Sequence, residues 1–155
     1  MRLPHIALGF ALVLVVTACS SAGSTTSPSA PVASSSPAAS ADAQRIEVKL
    51  TDALKMEPAQ LTVKAGQPVT FVVTNTGATD HEFYLGDETA QNEHGTEMKS
   101  MGGMMAHDEE NGIGLKPGET KELTFTFPNA GAFLAGCHVS SHYAAGMKAS
   151  ITATQ

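Results

Sequence analysis

The chain is 155 residues long, carries a formal net charge of −6, is 42% hydrophobic and has two cysteines, Cys19 and Cys137. An acidic chain without a basic patch excludes a nucleic-acid surface, and two cysteines exclude a disulfide-stapled scaffold. No phosphate-binding loop and no nucleophile–base pair stands in the sequence.

In chain order, the first element is apolar and short. Arg2 precedes the run Ile6 to Val16, which is eleven residues long, against the roughly 20 that a membrane-spanning helix needs. That length is expected of a signal peptide. The run closes on Val16-Thr17-Ala18-Cys19, which resembles the lipobox of bacterial lipoproteins. The resemblance implies cleavage after residue 18, lipidation of Cys19 and a place in the cell envelope, on its extracytoplasmic face. Ser20 to Ala43 is built almost wholly from Ser, Ala, Pro, Thr and Gly. Such a segment buries too little apolar surface to offset the entropy of ordering, and random-coil scaling gives it a reach of roughly 25–30 Å. Residues 1–18 are therefore expected as signal, 19–43 as lipidated tether and 44–155 as the folded domain.

That domain reads as β throughout. Arg45–Thr51, Gln60–Lys64, Pro68–Thr74, His81–Leu85, Lys121–Phe127, Phe133–Cys137 and Lys148–Thr154 are short, rich in β-branched or aromatic residues and bounded by turn formers. Alternation is clearest in Leu123-Thr-Phe-Thr-Phe127, with threonines on one face only. Val63-Lys-Ala-Gly66 ahead of Val69-Thr-Phe71 is echoed by Leu115-Lys-Pro-Gly118 ahead of Leu123-Thr-Phe125, which suggests two similar corners. The pattern predicts an all-β, two-sheet Greek-key sandwich, with room for a short helix over Gln91–Met101.

The C-terminal run Cys137-His-Val-Ser-Ser-His142-Tyr-Ala-Ala-Gly-Met147 places thiolate, imidazole and thioether at intervals of five. A mononuclear type 1 copper site takes two histidines and a cysteine in a plane, with a long axial methionine bond. His81 is the upstream candidate for the fourth ligand. Side chains repeat every second residue along a strand, so Cys137 shares a face with Phe133 and Ala135, and His81 with Phe83 and Leu85. Cys137 also has no disulfide partner once Cys19 is lipidated, and metal ligation explains an exported lone thiol. His138, next to it, reads as a surface loop histidine.

With these residues in place the domain resembles the cupredoxins. Cys137-x4-His142-x4-Met147 with His81 upstream is similar to their type 1 copper signature. The stretches His81-Glu-Phe-Tyr-Leu-Gly86, Leu115-Lys-Pro-Gly118 and Gly131-Ala-Phe, with an acidic Met/His-rich insertion, resemble more particularly a subgroup associated with bacterial copper tolerance. The resemblance implies His81, Cys137 and His142 as equatorial ligands and Met147 as the axial one. Two departures stand out: Ser140-Ser141 where many members have Pro-Gly, and Glu82 where many blue-copper proteins have Asn or Ser.

The insertion, Gly86 to Gly112, holds His94, Met98, Met101, Met104, Met105 and His107, with seven carboxylates against Lys99. Thioethers suit Cu(I), imidazoles suit Cu(II), and carboxylates concentrate cations. These six residues form the pool for a second, labile copper site. The expectation is a lipid-anchored, monomeric copper protein for tolerance or delivery, with copper ions and a copper-acceptor or redox-partner protein as partners. The alternative is a one-electron carrier cycling Cu(II)/Cu(I). Neither is an enzyme, since the protein fills all four coordination positions and leaves none open for substrate.

Overall fold

The structure, a computed structural model, describes residues 43–103 and 108–155. The signal segment, Cys19, the tether through residue 42, and Met104, Met105 and His107 lie outside the described residues. The elements are β1 (Gln44–Thr51), β2 (Lys55–Glu57), β3 (Gln60–Lys64), β4 (Pro68–Asn75), β5 (His81–Gly86), α1 (Glu88–Ser100), β6 (Gly112–Leu115), β7 (Thr120–Thr126), β8 (Gly131–Gly136) and β9 (Lys148–Thr154). The seven expected strands are present within one to two residues. The three-residue β2 and the glycine-rich β6 are additional, both too short and too plain to signal themselves.

One sheet runs β2-β1-β4-β7 and the other β3-β9-β8-β5-β6. β1 with β4 and β3 with β9 are the parallel pairs, and the rest are antiparallel. Alternation sorts the faces as expected: Ala149, Ile151 and Ala153 of β9 are buried between exposed neighbours. Phe71 of β4 meets Phe83 of β5 at a ring separation of 5.3 Å and Phe127 edge-on at 6.4 Å, which locks the two sheets together. Fully burying one such ring contributes about 1.5–3 kcal/mol.

The two echoed corners are equivalent in structure. Gly66 and Gly118 close them at φ +75° and +78°, a left-handed conformation that glycine adopts without Cβ strain. Their N–H groups donate to the carbonyls of Phe127 and Asn75.

Helix α1 is longer than expected, and its start is set by Asp87, whose carboxylate accepts the Ala90 N–H at 2.9 Å. That is an N-cap, worth about 1 kcal/mol. Its buried stripe is Gln91, His94 and Met98, spaced as one helical face. The helix packs on β5 and β8. It covers the outer side of the five-stranded sheet, the side opposite Phe83, so β5 is buried on both faces.

Candidate metal centre

Three ligand-bearing side chains converge at one end of the sandwich. His81 opens β5, Cys137 follows the last residue of β8, and His142 lies in the turn that leads to β9. One donor atom from each lies within 4.8 Å of the other two. Both imidazoles present Nδ1 to the sulfur, His142 at 3.4 Å and His81 at 3.9 Å. His81 and Cys137 are fully buried.

The loop is folded by its own backbone. Met147 donates its N–H to the His142 carbonyl and accepts the Cys137 N–H on its own carbonyl, which ties both ends together. Its side chain is fully buried in the core. His142 donates its N–H to the Val139 carbonyl, and Ser140 adopts φ +53°. This loop closes with Ser140-Ser141 in place of the proline-glycine pair of many cupredoxins.

His81 is set from the opposite side. Asn75, buried, donates through its amide to the carbonyls of Thr79 and Leu115 and accepts the Gly77 N–H. Asp52 accepts the N–H groups of Ala78 and Thr79 and the Thr79 hydroxyl. Its carboxylate stands 3.6 Å from His81 Nε2. Metal-ligating histidines commonly engage a carboxylate through the second ring nitrogen, which orients the first. Neither Asn75 nor Asp52 was assigned a role from sequence; the Asn75 side chain falls on a buried strand position, which was the available signal.

Burial pushes the Cys137 thiol up to about 12, so without a cation the sulfur is protonated at neutral pH. Burial also lowers His81, helped by the neighbouring His142 and opposed by Asp52. Both imidazoles turn a nitrogen toward a sulfur that also accepts the Glu82 N–H at 3.3 Å. One sulfur and two imidazole nitrogens form the donor set of a copper centre held by one cysteine and a pair of histidines, and the residues present fit that ion.

A second histidine cluster lies behind the first. Glu82, 1% exposed, accepts from His94 Nε2 at 2.9 Å and from the His138 N–H at 3.0 Å. Gln91 donates its amide to the carbonyls of Tyr84 and Leu134, which leaves its oxygen to accept from His138 Nε2 at 2.8 Å. His94 stacks flat on Tyr84 at 3.8 Å, and His138 on Tyr143 at 4.3 Å. Burial holds His138 neutral, its pKa lowered to about 4. His138 is thus not a surface loop residue: α1 and Tyr143 enclose it.

Of the six insertion residues, the three that are described stand in three different settings. His94 is engaged with Glu82, and Met98 is buried in the hydrophobic core. Met101 is exposed at 41%, and the other three lie outside the described residues.

A family model described as a cupredoxin-like domain matches residues 10–149 of the chain. The copper-resistant cuproprotein CopI of Pseudomonas aeruginosa is 36% identical, with 75% of this chain and 80% of the relative covered. The CopI of Vibrio cholerae is 37% identical, over 74% of this chain and 69% of the relative. Among solved structures, reduced auracyanin of Roseiflexus castenholzii matches with a TM-score of 0.64 at 28% identity, covering 73% of this chain and 98% of that one. Auracyanin A of Chloroflexus aurantiacus, described as a "blue" copper protein, matches with a TM-score of 0.59 at 30% identity, over 71% and 98%.

Proposed function

From a chain that belongs to the cupredoxin-like family, we infer a copper-binding protein of the cell envelope that handles copper through one type 1 site, serving tolerance or delivery. The observation that carries the reading is the convergence of His81, Cys137 and His142 donor atoms within 4.8 Å. In this reading those three would hold the copper, with Met147, whose backbone closes the loop, as the fourth ligand. Copper when bound supplies a one-electron couple and a strong thiolate charge-transfer band. The protein's own part is to present the donors already gathered, to keep water from the buried sulfur, and to release a proton from Cys137 as the cation enters.

Copper handling is favoured by the CopI relatives, which are named copper-resistant cuproproteins, and by the acidic, methionine-bearing insertion. Cys19 as a lipidated anchor would hold the domain at the membrane; among the described residues no helix is long and apolar enough to cross one. The likeness to auracyanin A favours a second reading, electron transfer, because a loop closed by backbone bonds changes little between oxidation states. No part of either reading calls for an enzyme.

Titration of the purified protein with Cu(II), followed by visible absorption and by metal analysis, tests both. An intense charge-transfer band that saturates at one equivalent supports the type 1 site. Further copper bound without added colour favours handling, through Met101 and the residues that follow it. Absence of the band overturns the type 1 assignment.

A further inference from the structure

We propose that the buried Glu82–His94 pair is a positioning clasp through which helix α1 fixes the Cys137 sulfur and so sets the properties of the copper site. The inference rests on the type 1 reading above and assigns a role to residues outside the ligand set.

Glu82 holds Cys137 from two sides. Its backbone N–H donates to Sγ at 3.3 Å, and its carboxylate accepts the N–H of the next residue, His138, at 3.0 Å. The carboxylate can keep that bond only if its other oxygen is also engaged, because a buried and unpaired carboxylate is strongly disfavoured. His94 supplies the partner at 2.9 Å, from a different element. His94 is in turn fixed by flat stacking on Tyr84, two residues along β5 from Glu82. One helical turn earlier, Gln91 ties α1 to the carbonyls of Tyr84 and Leu134 and to the His138 ring. Among the described residues, no buried side-chain nitrogen or oxygen lacks a hydrogen-bond partner.

Stability alone does not call for this arrangement, since replacing a buried ionic pair by packed apolar groups is often neutral or favourable. What the pair does supply is a fixed donor at the sulfur. Hydrogen bonding around the thiolate tunes a type 1 centre, and outer partners of metal ligands commonly carry a roughly ten- to hundredfold effect on metal affinity. The same helix ends against the ligand loop, where the Ser140 N–H donates to the Gly103 carbonyl at 3.0 Å.

The test uses the full chain with Glu82→Leu and His94→Phe, which remove the clasp, beside Glu82→Gln and His94→Gln, which keep a partner. For each, the visible spectrum, the reduction potential and the rate of copper loss to a chelator are measured, with far-ultraviolet circular dichroism as the check on folding. We expect His94→Phe to stay folded, to move the charge-transfer band and to lose copper roughly ten- to a hundredfold faster, with His94→Gln recovering most of both. His94→Phe with the wild-type spectrum, potential and release rate overturns the clasp and leaves the copper site standing. If His94→Phe fails to fold, Glu82→Gln decides it, because it keeps the side-chain shape but takes the charge from the acceptor of the His138 N–H: a shifted band and potential in that folded variant support the clasp, and unchanged ones overturn it. A wild-type protein that takes up no coloured copper removes the type 1 reading itself.

Discussion

Two buried clusters, each with a pair of histidines, meet at Cys137, and they differ in what their ring nitrogens face. In the outer cluster, His81 and His142 turn Nδ1 toward a sulfur at 3.9 and 3.4 Å, distances with room for an ion between the donors. In the inner cluster, His94 and His138 bond directly to Glu82 and Gln91 at 2.9 and 2.8 Å. Residue type is the same in both, and of the four histidines only His142 is less than buried. A histidine becomes a candidate ligand only where the fold leaves a nitrogen aimed at other donors instead of satisfying it.

The largest effect expected from breaking that contrast is at the shared cysteine. Cys137→Ser should abolish the visible charge-transfer band and weaken copper binding, because the soft ligand is lost; a retained band in a copper titration would overturn the assignment. Next is Gly136→Ala. A Cβ there meets the Gln91 amide oxygen and stands 2.7 Å from the Tyr143 ring, so it strikes the inner cluster one residue before the sulfur. Overpacking of this kind costs about 1–3 kcal/mol, and thermal melts should show a loss of that size. Gly95→Ala is smaller, since the helix gains about 1 kcal/mol of propensity. Its Cβ would stand 2.9 Å from Nδ1 of His138, whose ring is held on both sides. A net loss of stability in chemical denaturation is expected, and a net gain would show that His138 can give way.

The outer cluster was legible in the sequence, and the inner one was not. Cys137 and His142 declare themselves by residue type and spacing on one loop, and His81 by sharing a strand face with Phe83 and Leu85. The strands were legible because β4, β7 and β9 alternate faces. The inner cluster hides because its helix turns Gln91 and His94 inward, so no apolar period marks the buried stripe. Glu82 lies on the reverse side of β5, a face that strand alternation leaves to solvent and that α1 covers here. Two signals were present: Asp87 as a helix cap, and an isolated glycine, Gly95, inside the helix. His94 and Met98 looked like metal donors by composition, yet one is the clasp and the other is core.

The smallest effect sharpens the comparison by its sign. Burial lowers the His94 pKa, but the hydrogen bond and charge of Glu82, with Glu109 and Glu97 nearby, outweigh it and leave the value raised. Facing the ring are also Tyr84, stacked on it, and His138, which burial keeps neutral. A group whose folded pKa exceeds its unfolded value of about 6.5 stabilises fully below that value and loses the contribution as pH rises through the folded pKa. In the metal-free protein, the melting-temperature advantage of wild type over His94→Gln should therefore be largest below the unfolded value of about 6.5 and narrow as pH rises through the raised folded pKa. The outer histidines and Cys137 are common to both chains, so their titration drops out of the difference. A gap that widened with rising pH would mean that His94 is held neutral, and the inner cluster would then be a network of neutral imidazoles around one carboxylate.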